Sequence, residues 1–407
     1  MERRNWPASL MSYCLPYCAT DLYHSRAQDV PDGPGLNMKV PLYALTSLRF
    51  FAALMVFLSH LDFFENSDSA FLVDFFGSVM KEGYIGVTFF FVLSGFILSY
   101  ACQGREVLRG GYLDFLISRI SRIYPLHFIT FIAVIPFAVM ATLKRGETWD
   151  FIVGLFANIT LTQAFFSSGD IYFSFNAPAW SLSVELFFYA VFPVLLVMTT
   201  RALLLSVVAV ILLKALLASY GLANNGHFLL YIFPPLRLAD FMVGILLFRC
   251  FSARCDISDL SATLLQAGSI AGLAVACVLA PYVPQGYRYD VYYLLPMAAI
   301  VLSFAYNNGL AARLLSFPLL ILLGEASFAF YLVHQRVIQV GQMVRAKFGL
   351  LGFAYWDIVF SVGCFFVALV VSVLLYRYFE ISAKKWTVSK LTAISSVLRN
   401  RGGAVSS

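Results

Sequence analysis

Apolar positions along this chain fall into long blocks, not short stripes. They occupy about 42–62, 84–102, 124–142, 151–166, 180–198, 202–219, 229–249, 262–281, 290–309, 318–341 and 355–378. Most of these runs approach the roughly 20 residues that a helix needs to cross hydrocarbon. The alternating pattern of a membrane barrel is absent, and a helix satisfies its own backbone polar groups in lipid. The pattern predicts an all-α polytopic membrane protein with about ten transmembrane helices. Segment 151–166 stands apart. It is short and carries Asn158, Thr160, Thr162 and Gln163, so it is predicted to be partly embedded and to face a cavity.

Composition agrees with the blocks. Of 407 residues 60% are hydrophobic and only 12% charged, about half the charge of a soluble domain. The flanks are different. Residues 1–38 are rich in Pro, Gly and polar residues, lack the apolar core of a signal peptide, and are predicted to form a disordered cytosolic tail. Residues 39–380 then form one membrane domain, and 381–407 a basic cytosolic tail. Met38 offers a second possible start.

The net charge of +6 is informative through its distribution and is not read as nucleic-acid binding. With the N-terminus cytosolic and 151–166 not crossing, most cations fall on the cytosolic side. Among them are Arg119, Arg122, Arg201, Arg249, Arg313, Arg377, Lys384 and Lys385. If 151–166 crossed, the basic C-terminal end would lie outside, against the positive-inside rule. Both termini are therefore expected in the cytosol. Seven scattered cysteines suggest no disulfide or zinc framework; Cys14, Cys18 and His24 sit close enough for a metal to be imagined, but none is expected.

Several ionisable residues interrupt the apolar runs. Such residues are costly in a spanning helix and by default mark function. Arg49 and His60 are eleven residues apart, close to three turns, which puts them near one face with a rise of roughly 16 Å between them. The bland alternative is a snorkelling Arg and an interfacial His. Glu185 needs a partner or a proton, and the orientation puts it at a depth like that of His60, where the two could share acid/base work. Its alternative is a structural hydrogen bond to a neighbouring helix. Arg119 and Arg122 share a helical face just before Pro125, which is expected to open the third span. Two guanidiniums there suit a phosphate-bearing ligand, or serve topology alone. Ser94 and Gly95, with Gly83 and Gly86, permit close helix approach or an opened backbone beside a ligand. Arg237 and Asp240, three apart, read as a neutralised pair, and His334 as a second candidate imidazole or a packing residue.

Together these stretches resemble the acyltransferase 3 family of integral membrane acyltransferases, which includes O-antigen and exopolysaccharide acetylases. The carriers are Arg49 and His60 with ten residues between, GVTFFFVLSGF, RISRIYPL with Arg119 and Arg122, WSLSVE with Trp180 and Glu185, and YLVH with His334. They cover about 40 to 380 in the family's order. The resemblance implies transfer of an acyl group, commonly acetyl from acetyl-CoA, to a hydroxyl of an outward-facing glycan or its lipid-linked precursor. It implies a bacterial inner-membrane protein among lipids. His60 is similar to the family's essential histidine and Arg49 to its paired arginine, with Glu185 assisting. Arg119 and Arg122 match the pair thought to engage acyl-CoA, with Ser94 and Gly95 beside them, and Trp180 and His334 would bind substrate. The sequence departs from the family in YFEISAKKW, where Ile381 stands in place of a frequent proline after Glu380.

A second class stays open at this stage. Arg49, His60, Glu185, Arg237, Asp240 and His334 could line the path of a proton-coupled transporter or flippase. No inverted repeat is apparent to support it.

Overall fold

The computed structural model describes residues 40–102, 111–146, 148–220, 226–253, 257–350 and 353–403. The tail 1–38 and the Cys14, Cys18 and His24 group lie outside the described residues. No strand occurs among those described. The principal helices are α1 (Tyr43–Ser59), α2 (Gly86–Cys102), α3 (Tyr112–Arg145), α4 (Thr148–Thr160), α5 (Trp180–Val197) and α6 (Thr200–Ser219). They continue with α7 (Pro234–Ser252), α8 (Asp259–Leu279), α9 (Val291–Ala305), α10 (Pro318–Lys347), α11 (Ala354–Leu374) and α12 (Ile381–Gly403).

Among the described residues nine helical stretches are long and apolar enough to cross a membrane. The chain is a multi-pass membrane protein. The ninth apolar block, expected to cross at 290–309, forms only the 15-residue α9. Asp290, tied into a buried ion-pair cluster, stands at its start, and the polar pair Asn307 and Asn308 follows its end. α9 is nonetheless interior, with Tyr293, Met297, Val301 and Phe304 all buried.

α4 is the largest departure from spanning geometry. It is 13 residues long and lies against α3, where Tyr124 donates to the Ile159 carbonyl at 3.0 Å and His127 Nε2 to the Asn158 carbonyl at 2.9 Å. Gln163 Nε2 then donates to the Ala179 carbonyl at 3.0 Å, returning the chain to the start of α5. So 151–166 does not form a span-length helix. α3 corrects another expectation. Pro125 does not open a span but sits inside a 34-residue helix, and Arg119 and Arg122 are helical residues of the same element. The helix persists because a break in an apolar setting would strand several backbone groups, whereas one proline removes a single donor. Gly146, at φ 75°, closes it in the left-handed region that glycine adopts without strain.

α2 and α7 form the centre of the bundle. They cross where Gly95 meets Gly244: a Cβ on Gly95 would stand 2.1 Å from the Phe241 carbonyl oxygen, and one on Gly244 would stand 2.0 Å from that of Val92. α1 packs along α10 at a second small-residue crossing, where a Cβ on Gly324 would stand 2.1 Å from the Thr46 carbonyl oxygen. Such crossings hold helices by close packing where lipid provides no hydrophobic drive between them. α6, α8 and α11 are peripheral and expose large apolar side chains, Leu205, Leu212, Leu264, Phe366 and Val370 among them. α12 continues from α11 through a π-helical turn, Leu375–Glu380, and packs on α3.

Candidate functional site

α1 and α10 run side by side in the same direction, and each presents one polar residue at two levels. At the upper level the His60 and His334 rings face each other edge to face, 5.0 Å apart. Each ring is anchored to its own helix. His60 Nδ1 lies 2.8 Å from the Val56 carbonyl, and His334 Nδ1 lies 2.6 Å from that of Tyr331. A carbonyl only accepts, so each Nδ1 carries the proton and each Nε2 presents a lone pair. His334 Nε2 is buried with no hydrogen-bond partner. Phe57 and Phe330 wall the pair. α1 itself ends at Ser59, so His60 caps the helix and does not ride on its side.

At the lower level Arg49 lies within electrostatic range of Glu325 on α10 and of Glu380 on the π-helical turn. Tyr376, on the same turn, donates to Glu325 at 2.8 Å. Arg122 also reaches Glu380 electrostatically, and both Arg119 and Arg122 reach Tyr189. Guanidiniums from α1 and α3 thus share Glu380 on the turn, and Arg49 has Glu325 of α10 besides.

Glu185 sits between the levels. It accepts a hydrogen bond from Tyr189, one turn further along α5, and lies within electrostatic range of Tyr331 on α10. The expected partnership of Glu185 with His60 is not what the structure brings together: the ring beside His60 is His334, and Glu185 links Tyr189 toward Tyr331. Trp180 is buried against Tyr231, 5.0 Å away, and against Phe91. The loop before α5 clamps α10 just below His334: Asn176 Nδ2 donates to the Leu332 carbonyl at 3.1 Å, and Tyr331 donates to that of Pro178 at 3.1 Å.

Gly95 lies in the α2–α7 crossing, the close-packing alternative of its two readings. Ser94, half-buried, follows Phe90 by one turn, on the face where Phe90 meets Tyr331. Sequence reasoning missed Tyr376 and the role of Asp290. Glu325 and Glu380 were visible as carboxylates in or beside spans, but nothing in the sequence tied them to Arg49.

Two further polar groups are structural in form. Arg237 pairs with Asp240 at 2.8 Å, as its spacing predicts, and also with Asp290 at 3.3 Å, which in turn holds Lys214. All four are at most 1% exposed. Glu82 accepts from Arg288 and from Tyr293, the latter at 2.6 Å, tying the start of α2 to that of α9. Among the described residues no group of three His, Cys, Asp or Glu could hold a metal ion.

A family model described as an acyltransferase domain matches residues 42–377. The chain belongs to the acyltransferase 3 family. It is 31% identical over 350 residues to acyltransferase MdmB of Streptomyces mycarofaciens, covering 77% of this chain and 83% of that protein. It is 30% identical to the exopolysaccharide production protein ExoZ of Rhizobium meliloti, over 66% of this chain and 80% of the other. It is 24% identical to the O-acetyltransferase OatA of Staphylococcus aureus over 74% of this chain, and spans 52% of that longer protein. No solved structure matches the chain. The protein is an acyltransferase, so transfer and not transport is the chemistry to explain.

Proposed function

We propose that this acyltransferase moves an acyl group, in the simplest case acetyl, from cytosolic acyl-CoA to a hydroxyl of a cell-surface glycan or its lipid-linked precursor. It would do so across the bacterial inner membrane, with both chain termini cytosolic. The observation that carries the reading is the two-level arrangement along α1 and α10. A guanidinium cluster of Arg49, Arg119 and Arg122 at one level suits the phosphates of CoA. An imidazole pair with unprotonated Nε2 atoms at the other suits a general base. The positive-inside bias of the loops supports placing the arginine level toward the cytosol.

In this mechanism the acyl-pantetheine arm threads between α1, α2 and α10, past Ser94 and Glu185. His60 Nε2 takes the proton of the acceptor hydroxyl while its oxygen attacks the thioester carbonyl. The carbon–sulfur bond breaks as the carbon–oxygen bond forms, and the imidazolium returns the proton to the departing CoA thiolate. The Val56 carbonyl fixes the tautomer of His60. His334, its own Nε2 buried without a hydrogen bond, orients His60 and the acceptor. Glu185 charges the passage between the two levels. A covalent acyl-His60 intermediate is the competing route; ping-pong kinetics or an isolable acyl-enzyme would replace direct transfer with it.

The test is His60→Ala. Acylation of surface glycan, read by mass spectrometry, should vanish while the protein is made and inserted at wild-type levels. Acylation that continues unchanged would remove His60 from the chemistry.

A further inference from the structure

Next to the imidazole pair stands an aromatic cluster that the mechanism above does not use. It is assembled from four separate connections at one end of the bundle: Tyr84 just before α2, Tyr172 before α5, His227 and Tyr231 before α7, and Tyr289 before α9. Tyr231 is the hub. Its ring is 5.3 Å from His227, 5.5 Å from Tyr84 and 6.2 Å from Tyr289. The His227 and Tyr289 rings stand nearly perpendicular, at 79° and 5.3 Å. Tyr172 closes the side, its hydroxyl 3.4 Å from His227 Nδ1.

Three features distinguish this cluster from ordinary aromatic core. First, Tyr84, His227 and Tyr289 are only half-buried. The Tyr289 hydroxyl and His227 Nε2 make no hydrogen bond in the structure, yet neither is among its buried polar atoms left without a partner. The Tyr289 hydroxyl and His227 Nε2 therefore stand as open polar atoms at the edge of the cluster, above the buried Tyr172 and Tyr231. Second, the floor is fixed from beneath at a cost. Arg237, with no exposure, lies 5.3 Å from the centre of the Tyr231 ring and donates to Thr88 at 2.9 Å and to the Tyr289 carbonyl at 3.4 Å. Tyr231 itself donates to the Tyr84 carbonyl at 3.0 Å. Burying a four-charge cluster is expensive, and holding this floor rigid gives that expense a use. Third, the cluster adjoins the chemistry. Tyr231 lies within electrostatic range of Tyr331, whose ring is 5.8 Å from His334.

We propose that the cluster formed by Tyr84, Tyr172, His227, Tyr231 and Tyr289 is a sugar-ring subsite that holds a pyranose of the acceptor beside the His60–His334 pair. The inference rests on the acyl-transfer reading for its purpose, though not for its binding. A pyranose presents a face of C–H bonds and a rim of hydroxyls. The face packs on phenol rings, while the rim takes hydrogen bonds from groups such as Tyr289 Oη and His227 Nε2. The competing occupant is lipid headgroup, since tyrosines also gather at membrane interfaces.

The test uses the full chain in lipid nanodiscs and saturation-transfer NMR with the methyl glycosides of glucose, galactose and N-acetylglucosamine. Wild-type protein should saturate the ring protons of at least one glycoside. Tyr289→Ala should weaken that signal about tenfold, the loss expected for one aromatic face and one hydrogen bond. His227→Leu is the second variant should Tyr289→Ala fail to fold, and melting curves check both. No saturation of any glycoside by wild type, or equal saturation by well-folded variants, overturns the subsite and leaves a headgroup belt. CoA release from acetyl-CoA, followed in the same preparations, separates the two readings. A sugar signal lost in Tyr289→Ala without any acetyl transfer leaves the subsite and removes the transfer reading. Transfer without any sugar signal does the reverse.

Discussion

Two buried polar assemblies lie within this bundle and they are built on opposite terms. In the Lys214–Arg237–Asp240–Asp290 cluster every charge faces an opposite one, two cations against two carboxylates, at no more than 1% exposure. In the His60–His334 pair each ring spends one nitrogen on its own backbone and leaves the other uncommitted. The first arrangement gains from permanence, because a charge stripped of its partner inside the bundle is costly. The second has no opposite charge within it, and His334 Nε2 stays buried without a hydrogen bond. On the proposed mechanism the contrast separates groups that hold the fold from groups that await a substrate, and it does so within one bundle.

The sharpest way to break the contrast is to remove one member of each. His60→Ala should lower acyl transfer by at least about 10³-fold, since it removes the general base, and should leave the melting temperature nearly unchanged. Asp290→Ala should do the opposite. It strands Lys214 and part of Arg237 and should cost about 3–5 kcal/mol of stability, read as a large fall in melting temperature and yield. A His60 variant that unfolds, or an Asp290 variant that melts normally and merely loses activity, would erase the distinction.

How much of this could be read beforehand follows the same divide. Hydropathy reports the blocks because burial in lipid is a property of each run alone, so the helical membrane class was legible. Charge within a run is equally local, which made Arg49, His60, Glu185, Arg237 and His334 conspicuous. What was not legible is lateral. Nothing local says that His60 meets His334 across α1 and α10, or that Glu325 and Glu380 come to Arg49. Asp290 looks like a loop residue until Lys214 and Arg237 come to it. Pro125 was misjudged because its local preference for a helix start was outweighed by the need to keep backbone bonds unbroken in an apolar setting. Gly95 illustrates the ambiguity of small residues, which serve a ligand or a crossing equally well on paper.

Gly95 therefore offers a finer cut between holding and binding. In Gly95→Ala the new methyl meets the Phe241 carbonyl oxygen at 2.1 Å, a backbone atom that cannot swing aside. Overpacking of this kind costs about 1–3 kcal/mol. The melting temperature should fall while KM for acetyl-CoA in the surviving folded protein stays put. A raised KM with normal melting would return Gly95 to the donor site.

The smallest expected effect lies where the two terms meet. Glu325 accepts from Tyr376 at 2.8 Å and shares Arg49 with Glu380, so the arginine level is paired like the structural cluster, yet in the proposed mechanism it serves the donor as the imidazoles serve the acceptor. Tyr376→Phe removes one hydrogen bond and leaves ring, helix and charges in place, a change of about 1 kcal/mol. If the carboxylates only hold the fold, that loss appears in the melting temperature and the kinetics do not move. If they aim Arg49 at the donor, KM for acetyl-CoA rises by about fivefold, the equivalent of the same 1 kcal/mol, with the acceptor dependence unaltered. The π-helical turn favours the second outcome. Such turns are frequent at functional sites, and this one carries Tyr376 and Glu380.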